Sequence, residues 1–121
     1  MKNTITLLFI FICSNIFSQI NIPPASPTAS VSQSIGFSNV SINYSRPALK
    51  GRDMYKILTR EGKVWRTGAN MCTILSVDGD IYIEGNKIPT GKYSIYSIPN
   101  KDTWTVILNH KISWGTEYDP S

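Results

Sequence analysis

At 121 residues, with twelve Lys and Arg against eight acids and a net charge of +4, the chain has room for one small domain and carries only a mild positive balance. Beyond Lys2 the cations are spread from Arg46 to Lys111 instead of forming a stripe, which sets nucleic-acid binding aside. Two cysteines and one histidine, without a Cys-x-x-Cys motif, leave no ligand set for zinc or thiol-redox chemistry, and no metal or cofactor is expected.

The first predicted element is a leader. Lys2 is followed by an apolar run from Ile5 to Cys13 and a polar stretch ending in small Ser18, the layout of a signal peptide over residues 1–18. The run is well short of the roughly 20 residues that span hydrocarbon, so no transmembrane anchor is expected. Bulky Phe11 and Ile12 precede Cys13, which disfavours lipid attachment there. Cleavage after Ser18 makes Gln19 the first residue of an exported, periplasmic or extracellular product. Cys72 is then the remaining thiol, and its setting in "MCTILSV" predicts burial as a small hydrophobe.

Residues 19–29 carry Pro23, Pro24 and Pro27 and read as a proline-rich linker or extended arm. A β-domain is expected over 30–121. In "VSQSIGFSNVSINYS" Val40, Ile42 and Tyr44 alternate with Asn39, Ser41 and Asn43, the period of a half-buried strand. "DMYKILTREG", Asp53 to Gly62, has a cap, an apolar stripe and a terminal glycine, and predicts one short helix. Further strands are expected at 72–77, 80–84, 92–98 and 103–110, each β-branched or aromatic and bounded by turn residues. Asp78-Gly79 and Gly85-Asn86 are suited to tight hairpins, and 89–91 and 99–102 to longer turns. The fold class is all-β: a mainly antiparallel, sandwich-like domain with one short helix.

Few residues invite chemistry. Asp78, Asp80 and Glu84 lack the spacing of a calcium loop and read as solvated turn charges. His110 shares the alternate set of Trp104, Val106 and Leu108, a border position with no nucleophile elbow to accompany it. Arg46 ends an apolar alternate set just before Pro47, so its stem is expected along the core edge and its guanidinium on a partner or ligand. In "KVWRTGANM" (63–71) Arg66 brings a planar fork suited to carboxylate or phosphate, and Trp65, Trp114 and Tyr118 offer stacking surfaces. The same stretch reads more readily as a Trp-anchored corner whose Arg66 and Asn70 tie down a loop.

The motifs "YSRPALKGR", "GKVWRTGAN", "IPTGKYSIYSIP", "WTVILN" and "WGTEYDP", in this order, resemble a family of secreted bacterial domains of unknown function, the one numbered twenty-nine eleven. The resemblance runs from Ala25 to Ser121 and implies that Arg46, Trp65, Arg66, Asn70 and Trp114 belong to a family signature; it implies no activity. It also implies further strands beyond "YDP", so the fold is expected to be incomplete at its C-terminus, with an exposed sheet edge open to self-association. Three functions stay open. The leading one is an exported binding module for a polar or anionic small molecule or glycan, through Arg46, Trp65, Arg66, Asn70, His110 and Trp114. The others are a structural or accessory envelope protein and a hydrolase-like enzyme using Arg46, Arg66 and His110. The enzyme reading is the weaker of the alternatives, and no catalytic residue is assigned.

Overall fold

The computed structural model of the protein describes residues 22–54, 56 and 62–112. Seven strands account for about half of them: β1 (Thr28–Ile35), β2 (Ser38–Ser45), β3 (Thr73–Val77), β4 (Ile81–Ile83), β5 (Asn86–Ile88), β6 (Gly91–Pro99) and β7 (Trp104–Asn109). Five form one antiparallel sheet in the order β1-β2-β3-β6-β7, and β4 with β5 forms a separate two-stranded hairpin. The chain is thus all-β and antiparallel, as its alternating pattern implies. The expected helix over Asp53–Gly62 falls largely outside the described residues; at its start the Asp53 carboxylate accepts from the Lys56 N–H at 3.4 Å.

Register assigns the faces, because residues paired across an antiparallel ladder point to the same side. Val40 pairs with Val77, Ile42 with Leu75, Leu75 with Tyr93, and Ile95 with Leu108, so one face carries the apolar alternate set of every strand. Leu75, Val77 and Tyr93 are its buried centre, with Val40, Ile42, Ile95 and Leu108 packed around them. Ile81 and Ile88, paired across the β4–β5 hairpin, close over the same centre. Each fully buried aliphatic side chain here contributes about 1.5–3 kcal/mol relative to exposure. The hairpin is too short to cover the whole face, and Val31 on β1 and Val106 on β7 stay 55% and 63% exposed.

The opposite face changes character across the sheet. Over β1, β2 and β3 it presents Thr28, Ser30, Ser32, Asn39, Ser41, Asn43, Ser45 and Ser76. Over β6 and β7 it turns apolar, with buried Tyr96 and half-buried Ile98 and Ile107. Ser94 lies fully buried between these regions, and its hydroxyl bonds the carbonyls of Asn109 and Lys111.

Turn chemistry differs from expectation in two places: the turn expected at Gly85-Asn86 falls one residue earlier, and Asp78-Gly79 makes no hairpin. The hairpin between β4 and β5 turns on Glu84 and Gly85, both with positive φ (49° and 77°), the signature of a type I′ turn. Asp78-Gly79 makes no hairpin, because β3 pairs with β2 and β6 and not with β4. Asp78 instead accepts from the backbone N–H and the side-chain amide of Asn39, at 2.6 and 2.9 Å. A further turn, Gly36-Phe37, joins Ile35 to Ser38 between β1 and β2, with Gly36 at φ 61°.

Candidate functional site

The stretch from Lys63 to Met71 is an excursion in the line of chain that runs beside β6 and continues into β3. Gly62 donates its N–H to Pro99, and Trp65 exchanges both backbone bonds with Ser97 at 2.7 and 2.8 Å. Thr73 then pairs with Ile95. Between these two pairings β6 moves back by two residues, 97 to 95, while the facing chain advances by eight, 65 to 73. The surplus leaves the sheet as a loop and leans across the end of β2.

Hydrogen bonds within the loop and to its neighbours tie down several of its polar groups. Arg66 donates from Nη1 to the Asn70 carbonyl at 3.1 Å, and the Asn70 amide donates to the Ser26 carbonyl at 3.2 Å. Thr73 donates from its hydroxyl to the Thr67 carbonyl at 2.7 Å, and the Thr67 and Ser97 hydroxyls share a bond of 2.9 Å. Trp65 stands edge-on to Trp104, with centroids 6.3 Å apart and planes at 77°. The stretch is therefore built as a tied corner, with Arg66 and Asn70 facing carbonyls of the chain itself.

Arg46 is exposed directly after β2 and forms no ion pair among the described residues. Its N–H donates to Pro27 at 2.9 Å, which places it at the same end of the sheet as the loop and the Ser26–Pro27 arm. His110 does not join them. Its ring packs on Tyr93, with centroids 4.6 Å apart, and Tyr93 lies four residues along β6 from the Ser97 bridge, about 13 Å at ~3.3 Å per residue. Trp114 lies outside the described residues.

Two depressions open on the polar face. One, of about 350 Å³, is lined by Thr28, Ser30, Asn43, Ser45, Cys72 and Ile74, with Met71 of the loop as a wall. The other, of about 370 Å³, is lined by Ser32, Asn39, Ser41, Ser76, Asp78 and Lys92. Cys72 is a buried free thiol at the floor of the first. By alternation Asn39, Ser41 and Asn43 read as a solvent face; the gathering of such residues with Cys72 and Ile74 is visible only once β2 pairs with both β1 and β3.

The carboxyl of Asp78 is held below the ordinary carboxylate range by its side-chain bond to Asn39, reinforced by the Asn39 N–H. The Asp80 carboxyl is lowered likewise, first by its 2.7 Å pairing with Lys87 and then by the Thr90 N–H. Expected to be merely solvated turn charges, both acids are exposed yet bonded. No group of three or more His, Cys, Asp or Glu side chains gathers among the described residues.

The profile of DUF2911, described as a protein of unknown function, matches residues 26–121. The chain belongs to the DUF2911 family. No curated protein and no solved structure matches it. For this DUF2911 chain the match spans the whole five-stranded sheet and takes in the excursion loop and both depressions. No helix of the described residues is long and apolar enough to cross a membrane.

Proposed function

We propose that this protein is an exported binding module whose polar sheet face holds a polyhydroxylated ligand of the glycan class. Export rests on the leader over residues 1–18. The ligand class rests on one observation: the 350 Å³ groove combines hydroxyls and an amide on its sides (Thr28, Ser30, Asn43, Ser45) with apolar Met71 and Ile74. That mixture suits a sugar, which presents hydroxyl edges and a C–H face, in a site of mainly apolar lining with few placed polar groups. The groove lining is uncharged, so a neutral glycan is favoured; Arg46, following Ser45 at its end, would add preference for an acidic substituent.

The test is a titration of the purified protein with neutral and acidic oligosaccharides, followed by amide chemical shifts. Shifts mapping to Thr28–Ser30, Asn43–Ser45 and Met71–Ile74 are expected, and an Asn43→Ala, Ser30→Ala variant should lose them while melting as the wild type does. Shifts elsewhere, no shifts, or undiminished binding by the variant would remove the proposal. A structural or accessory role is the second reading. The way Arg66, Asn70 and Trp65 bond to their own chain favours it, and a chain that binds no glycan yet needs these residues to fold would establish it.

A further inference from the structure

β1 is the outer strand of the five-stranded sheet. The bond from the Arg46 N–H to the Pro27 carbonyl sets the phase of the ladder. Pro27, Ala29, Val31, Gln33 and Ile35 turn their backbone groups toward β2, while Thr28, Ser30, Ser32 and Ser34 turn theirs outward. Sheet edges are normally blunted by charge, proline or a bulge. β1 has none of these: Thr28–Ile35 contains no charged residue and no proline, and its register with β2 runs unbroken from Thr28↔Ser45 to Ile35↔Ser38. All its residues except Ala29 are exposed.

We propose that β1 pairs antiparallel with β1 of a second copy of this chain, across a twofold axis at Val31. This interface is independent of the ligand reading. The outward residues all share one parity, so a twofold register exists in which each outward group finds another. Ser30 faces Ser32 of the second copy, and Thr28 faces Ser34, each pair exchanging backbone bonds. Between them Val31 meets Val31 in a non-hydrogen-bonded pair, and Ala29 meets Gln33. A second copy fits better than a charged peptide because the strand offers no counter-charge, and two net-positive chains meet here at an uncharged segment. The contact covers a side chain that is otherwise 55% exposed. One strand pair is smaller than a standard interface, so the dimer depends on concentration.

Sedimentation of the purified protein over a concentration series is expected to show monomer passing to dimer. Ser32→Pro removes an outward N–H and leaves the β2 ladder intact, the edge position where proline is tolerated; it should remain monomeric with unchanged circular dichroism. Val31→Cys should form a reductant-sensitive dimer, because the Cα atoms of such a pair lie about 4.5 Å apart, within disulfide reach, whereas Gln33→Cys should not. A wild-type protein that stays monomeric throughout, a folded Ser32→Pro that still dimerises, or equal cross-linking at 31 and 33 would overturn the proposal. Should Ser32→Pro fail to fold, the contrast between the two cysteine variants decides.

Discussion

Thr67 and Asn70 both hold left-handed backbone, at φ 53° and 59°. For a β-branched residue this conformation is a strained one, costing on the order of 1–3 kcal/mol. Bonds from Thr73 to the Thr67 carbonyl, from Arg66 to Asn70 and from Asn70 to Ser26 hold the corner in place. Arg66→Ala is therefore expected to lower unfolding free energy by about 1.5–3 kcal/mol, the net worth of a hydrogen bond involving a charged group, measured by denaturant melts, with glycan titration unchanged. Gly68 matters for space instead of φ: a Cβ there would lie 2.9 Å from the Thr73 hydroxyl and 3.5 Å from the Ser45 carbonyl. Gly68→Ala should cost about 1–3 kcal/mol, as overpacking does, and should shift the amide signals of Thr73 and Ser45.

Among the elements, the β2–β3 junction depends on ionised Asp78. Its carboxyl is lowered in the fold by Asn39, so the stabilisation it gives is fully present above the carboxyl's unfolded-state pKa and is lost as pH falls through the lower, folded value. Thermal melts from neutral pH into the acid range should show that loss, and Asp78→Asn should flatten this part of the profile. A profile unchanged by the substitution would disconnect the clamp from acid stability. The same element shows where local sequence misleads. Asp78-Gly79 has hairpin chemistry, yet β4 is occupied with β5, and Asn39, far off in sequence, claims the carboxylate. β2 is legible because it alternates with a period of two, and β3, β6 and β7 because each is a short β-branched or aromatic run bounded by turn residues. β5, Asn-Lys-Ile, is too short to carry a period. The groove was hidden for a different reason: serines on β1 and β2 look like solvent positions until pairing sets Ser30 beside Asn43 and Asn43 beside Ile74.

For the whole molecule, the order of the strands sets an order of assembly. β1 and β2 are joined by Gly36-Phe37, and β6 and β7 by residues 100–103, so both pairs are local hairpins with small closure costs. β3 is different. Its pairing with β2 closes residues 46–72, and its pairing with β6 closes residues 78–90. The five residues that join the two halves are thus reached only after the largest loops have been closed, and such non-local contacts are the ones that slow folding. Leu75 sits at that joint, 4% exposed and paired with both Ile42 and Tyr93. Leu75→Ala should cost about 2–5 kcal/mol and express that cost mainly as slower refolding, whereas Val31→Ala, in the first hairpin's outer strand, should leave the refolding rate nearly unchanged. Stopped-flow refolding of the two variants compares them directly; a Leu75→Ala effect confined to unfolding would place the joint after the barrier. The excursion loop thereby gains a temporal role: by lengthening the path from β2 to β3 it adds to the closure cost that keeps the chain as two unjoined halves.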